Sequence, residues 1–300
     1  MALSSQEIID RRRLKRKLTF WRVAAVVLIL ALIGFAVGYY GGAVRQPHVA
    51  RIDVNGTIGS DPGLNGRFEA IARDENARAL IVHINSPGGT TVGSEAIFTG
   101  MRQVAENKPV ISVIGTQGAS GGYLVALGGD RILAHETSIT GSIGVIMQAP
   151  HVGGLMEKLG VGLTEIKSGK YKAEPSITGP PDAEVRDYLE RLIQDAHGWF
   201  VGLVADRRGM SREAVGKVAD GRIFTGRQAL ELGLVDEIGN IDDARNWLAE
   251  EHGVAESLPL VNRTPEEELD LLTRVVSNFA GKTVLTERLK LDGILSLWQP

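Results

Sequence analysis

The chain opens on charge, turns apolar, and then settles into short alternating blocks. Arg11, Arg12, Arg13, Lys15, Arg16 and Lys17 form a basic cluster, and residues 23–40 follow without a single charge. At 1.5 Å per residue that run spans about 27 Å, close to the hydrocarbon thickness of a bilayer. Trp21, Tyr39 and Tyr40 stand at its ends, where interfacial aromatic residues belong. The pattern predicts a cytoplasmic basic N-terminus over 1–22 and a transmembrane anchor over 23–40. Basic flanks stay inside, so everything after residue 41 is expected on the extracytoplasmic side. A cleaved signal peptide is the competing reading; the apolar run is long for one, and no A-x-A site follows.

Residues 41–48 read as a linker, and from 49 the pattern becomes α/β. Residues 49–54 alternate as a strand does. Residues 79–84 (ALIVHI) and 109–114 (PVISVI) are continuous apolar runs, as expected of strands covered on both faces. Residues 131–134, 143–147 and 162–166 read as further short strands. Helical patterns lie between them at 68–76, 91–107 and 123–128. After Pro181 the period lengthens into a helix over 182–208 capped by Asp182, then helices over 211–218, 227–232 and 241–251. The fold class is α/β: repeated βα units with a helical second half over 49–258. A helical tail is expected over 259–300, where Thr264 and Glu267 fit a capping box.

Composition changes this picture only by exclusion. Of 300 residues, 43% are hydrophobic and 23% charged, which suits a globular core. A net charge of −3 gives no reason to expect a nucleic-acid partner. No cysteine is present, so disulfides, thiolate metal sites and a cysteine nucleophile are all excluded.

Two glycine-rich turns each follow a buried apolar run: Asn85-Ser86-Pro87-Gly88-Gly89, and Gly118-Ala119-Ser120-Gly121-Gly122-Tyr123. A strand ending in a tight turn before a helix presents backbone N–H groups that can hold an oxyanion. Neither turn matches a phosphate-binding loop. Ser120, between small neighbours, reads either as a nucleophile on a sharp turn or as a helix N-cap. A nucleophilic serine needs a base. His48 falls in the linker, His83 in a buried strand, and His197 and His252 in helices, which leaves His135 and His151 in loops. The stretch 167–175 offers Lys167, Lys170 and Lys172 instead, any of which could serve if burial lowered its pKa.

SPGG, GASGGY, TGSIGV, KSGKYKAEP and DGRIFTGRQALELGLVDEIG occur in that order. Over about residues 48–250 the chain resembles the bacterial signal peptide peptidases in their short, single-domain form. The resemblance implies a Clp-protease or crotonase-like fold and a membrane-anchored serine endopeptidase that degrades signal peptide remnants. It implies Ser120 as nucleophile, Lys172 as general base and Ser142 as a partner of the lysine amine. It also implies Gly89 and Gly121 as amide donors to the oxyanion, with no metal or cofactor. Homo-oligomers are expected, with apolar pockets near Ser120 for an apolar peptide, between Val92 and Phe98. Where some relatives carry an aspartate after the lysine, this chain has Ala173.

Overall fold

A computed structural model of the chain describes residues 16–32, 34, 46–264 and 295–297. Two compact units are present, Met1–Pro47 and His48–Pro300. In the first, residues 16–32 are helical (α1). Among the described residues no helix is long and apolar enough to cross a membrane; residues 33 and 35–40 of the expected anchor lie outside them.

The second unit is built on a sheet whose centre is three long parallel strands, β1 (His48–Ile58), β2 (Ala77–Thr90) and β3 (Val110–Ala119). Their side chains divide by the period of two. Leu80, Val82 and Ile84 enter one core with Ile52, Phe68 and Met101. Ala79 and Ile81 enter a second core, on the other face, with Ile111, Val113, Ala244 and Leu248. A strand apolar at every position therefore buries both faces, and each large side chain so buried is worth about 1.5–3 kcal/mol. Beyond β3 lie β4 (Arg131–Ala134) and β5 (Ile139–Gly141); β6 (Ile223–Thr225) pairs with β5, β7 (Glu237–Ile238) with β4, and β8 (Leu260–Asn262) with β1. All these ladders are parallel except β5–β6. A short strand, β9 (Leu295–Leu297), adds antiparallel to β2 at Gly88–Thr90.

The helices are α2 (Pro62–Arg73), α3 (Thr91–Ala105), α4 (Gly121–Ala126), α5 (Gly153–Lys158), α6 (Ala183–Arg208), α7 (Arg212–Gly216), α8 (Gly226–Glu231) and α9 (Ile241–His252). The caps read from sequence hold for α6, where Asp182 accepts from Val185 N at 2.9 Å, and for α7, where Ser211 accepts from Ala214 N. Gly209, at φ 61°, ends α6 in the left-handed conformation that suits glycine.

Several expectations change. The SPGG stretch is not a turn that ends a strand: β2 stays extended through it to Thr90. Residues 143–147 form no ladder strand; the strand is β5, four residues earlier. Residues 162–166 form no strand either, and Ile166 is 98% exposed because no sheet neighbour lies beside it. Helix α2 begins at Pro62 rather than 68, because Asp61 caps it by accepting from Gly63 N. His48 is the buried first residue of β1, not linker. The sheet also continues past 258 through β8, whose neighbour Thr264 donates from Oγ1 to Asp53 Oδ2 at 3.3 Å and accepts from Asp53 N at 2.7 Å. Residues 265–294 of the expected helical tail lie outside the described residues, and 295–297 are strand.

Candidate active site

Strand β3 delivers Ser120 to the mouth of α4. The residue is 1% exposed and adopts φ 55°, ψ −118°, a conformation that L-residues with a Cβ avoid. Its N–H donates to Gly141 O at 2.8 Å, which pins the turn to β5. It stands at the N-cap position of α4, where its carbonyl accepts from Leu124 N at 3.0 Å, but its side chain makes no cap bond to the helix. A strained serine between a strand and a helix is the geometry of a nucleophile elbow.

Close packing explains the glycines around it. A Cβ on Gly122 would lie 2.7 Å from Ser86 O, and one on Gly121 would overlap Ser94 Oγ. The same Gly121 position lies 3.2 Å from Gly89 N, so the two glycine-rich stretches, whose Gly89 and Gly121 are 32 residues apart in sequence (121 − 89), converge beside Ser120. Gly89 itself is packed onto the Ile58 backbone, where any side chain would collide. Ser86 was passed over in sequence. Its Oγ donates to Gly56 O at 2.6 Å and accepts from Gly88 N at 3.1 Å, fixing the backbone just before Gly89. A single serine hydroxyl late in a strand gives no periodic signal that would have marked it.

Ser142 is buried, at φ 51°, and its N–H donates to Arg222 O at 2.8 Å. It follows Gly141, whose carbonyl holds Ser120 N. Thus Ser120, Gly89, Gly121 and Ser142 are gathered at the ends of β2, β3 and β5. Lys172 is not gathered with them: it is exposed, and its amine makes no hydrogen bond or ion pair among the described residues. The other two lysines of that stretch are committed to carboxylates. Lys167 pairs with Glu165 at 2.8 Å and Glu174 at 3.1 Å, and Lys170 with Glu184 at 2.5 Å. Those hydrogen bonds raise both lysines above the ordinary value and keep them protonated. Lys172, next after them in sequence, has no carboxylate partner among the described residues.

The histidines go elsewhere. His83 and His135 line a cavity of about 360 Å³ with Asn85, Thr116, Thr137 and Ser138; Ser120 is not in its wall. Burial, with Arg51 adding to it, lowers the His83 pKa, although Asp53 lies 3.4 Å from its Nδ1. His151 is exposed. His197 Nε2 meets Ala219 O at 2.9 Å, and His252 packs edge-on against Trp247. Along α3, two cavities of about 340 and 110 Å³ share Ala96; Glu69 and Glu95 line the larger, so it is less apolar than expected. Among the described residues no group of three or more His, Asp or Glu is placed to hold a metal ion.

Comparison with known proteins places this arrangement. Residues 102–255 match the model of peptidase family S49. A protease-named protein of Synechocystis sp. is 40% identical over 258 residues, which cover 81% of this chain and 90% of that protein. Protease 4 of Haemophilus influenzae is 34% identical over 66% of this chain, which spans only 34% of that longer protein. The chloroplastic serine protease SPPA of Arabidopsis thaliana is 33% identical over 59% of this chain and 26% of its own length. The chain therefore belongs to peptidase family S49, the signal peptide peptidase A proteases, and is a serine-type peptidase.

Proposed function

We propose that the chain is a membrane-anchored endopeptidase that uses a Ser120/Lys172 dyad to cut signal peptide remnants and similar apolar peptides at the extracytoplasmic face of the membrane. The observation that carries the reading is the strained, buried Ser120 with the Gly89 and Gly121 backbones converging beside it. Neutral Lys172 takes the Ser120 Oγ proton as Oγ bonds to the peptide carbonyl carbon. The carbonyl oxygen becomes an oxyanion held by the Gly89 and Gly121 N–H groups, where losing one donor typically costs about 3–4 kcal/mol. Lys172 then passes its proton to the leaving amine as the C–N bond breaks. In the second half it takes a proton from water as the water oxygen bonds to the acyl carbon, and returns it to Ser120 Oγ as the ester C–O bond breaks. Ser142 is assigned to orient the lysine amine. No cofactor enters the scheme.

Substrate geometry supports the same reading. β3 diverges from β2 after Gly118, and Gly88–Thr90 accepts Leu295–Leu297 as an antiparallel strand on that edge. An extended peptide could add there in the same way. The basic cluster and the apolar run 23–40 support an anchor in the bilayer that holds such a substrate.

Lys172 is exposed in the single chain, whereas a lysine becomes a base through desolvation. The segment before it in sequence exposes Val152, Leu155, Leu159, Val161, Leu163 and Ile166, and clustered exposed apolar residues mark interaction surfaces. A second copy of the chain covering this segment, in a homo-oligomer, would dry the amine.

The test is hydrolysis of a fluorogenic apolar peptide by the full chain in detergent. Ser120→Ala and Lys172→Ala should each abolish activity while assembly and circular dichroism stay unchanged. Full activity in either variant rejects the dyad.

A further inference from the structure

The loop that carries Lys172 is clamped on both sides by groups that take no part in the dyad. Glu184, in the first turn of α6, uses both carboxylate oxygens. Oε2 accepts from Lys170 Nζ and Oε1 from Tyr171 OH, each at 2.5 Å. Lys170 also lies 3.3 Å from Asp182, the cap of the same helix. The Tyr171 ring rests on Tyr188, one turn along α6, with centroids 5.0 Å apart. On the far side of Lys172, Glu174 accepts from Lys167 and from Ser176 N, each at 3.1 Å. Lys172 N donates to Gly169 O at 3.1 Å, and Ala173 turns the chain at φ 65°. The two residues before Lys172 are thus fastened to a 26-residue helix, and the residues after it to a second ion pair.

We infer that Glu184 and Tyr171 are positioning residues for the general base: Tyr171 fixes where Lys172 sits, and Glu184 sets how readily Lys172 gives up its proton by neutralising Lys170. The inference rests on Lys172 being the base. Its electrostatic half follows from sign. With Glu184 in place, the cation two residues from Lys172 is compensated. Removing the carboxylate charge leaves Lys170 bare, and a neighbouring like charge favours neutral Lys172. Removing Lys170 instead leaves Glu184 bare, and that anion favours protonated Lys172. The remaining charges facing this cluster are Asp182, Glu165, Lys167 and Glu174 on the loop and helix cap, and Arg191 on α6, whose field reaches Tyr171. None of them changes in either variant.

The experiment is the pH dependence of kcat/KM for the full chain in detergent, at low salt, on the fluorogenic peptide. Glu184→Gln should move the acid limb to lower pH and Lys170→Met to higher pH. Each shift should be about 0.3–0.5 pH unit, as expected for one charge near a solvated neighbour, and should shrink in high salt. The double variant should return toward wild type. Tyr171→Phe should lower kcat about five- to tenfold with KM unchanged and the limb unmoved, of the order expected when a base is held slightly out of place. A purely structural clamp would give losses with no shift, or shifts of the same sign, in both charge variants; either result overturns the inference. Loss of activity in Lys172→Ala accompanied by unmoved limbs overturns the inference alone. Full activity in Lys172→Ala overturns the dyad and the inference with it.

Discussion

Ser120 shows how much one residue's backbone can say that its neighbours in sequence cannot. The string Gly-Ala-Ser-Gly-Gly was compatible with a helix cap or a nucleophile. The φ of 55° and the missing side-chain cap bond weigh against a hydroxyl that serves only as a cap. The same limit applied to the three lysines. Their identities were legible, but which of them was committed depended on Glu165, Glu174 and Glu184, and Glu184 lies outside the stretch on another element. Gly122 makes a prediction at this scale. A methyl there would press on Ser86 O at 2.7 Å, on backbone that cannot swing aside. Gly122→Ala should therefore lower stability by about 1–3 kcal/mol in urea unfolding, the usual range for overpacking, and should reduce kcat more than KM by displacing Ser120. An unchanged kcat would mean the turn tolerates the shift.

Among the elements, those with strong periodicity were the legible ones. The two-faced apolar runs became β2 and β3, and the capped amphipathic helix became α6 almost to the residue. Four-residue β4 was legible at 131–134, but β6, β7 and β8 were not, because they have two or three residues each and owe their existence to a partner rather than to a pattern. SPGG misled in the other direction. Its Pro and Gly announce a turn, yet β1 on one side and Ser86 Oγ beneath keep the backbone extended. Helix α4 is too short to stand by itself and is fastened by Tyr123, whose buried OH donates to Leu234 O at 2.8 Å. Burial pushes that phenol far above its ordinary pKa, so it stays a donor across any working pH. Tyr123→Phe should leave the Leu234 carbonyl unpaired and cost about 1–3 kcal/mol, measured as a lowered urea midpoint with an unchanged slope. Stability equal to wild type would show that water replaces the phenol.

At the scale of the whole molecule, the catalytic half and the segment 146–177 obey different rules. The sheet is buried on both faces, whereas helix α5 holds no fully buried residue. Sequence gave this segment apolar residues and suggested a strand at 162–166. Among the described residues no strand lies beside it to pair with, which is why the expectation failed. If copies of the chain cover it, Leu155→Glu with Leu159→Glu should shift sedimentation toward smaller species. Specific activity should fall at least tenfold, the scale of a base left solvated. A dispersed but fully active variant would remove the link between assembly and the base. The register of β2 on β3 has a further consequence. Ser86 stands opposite Gly118, so Gly89 and Ser120 meet only after two strands separated by a helix have zipped along their whole length. Sliding the pair by a single residue would part them by about 3.3 Å and turn every inward side chain outward. Until that pairing is complete, Ser120 has no Gly89 backbone beside it.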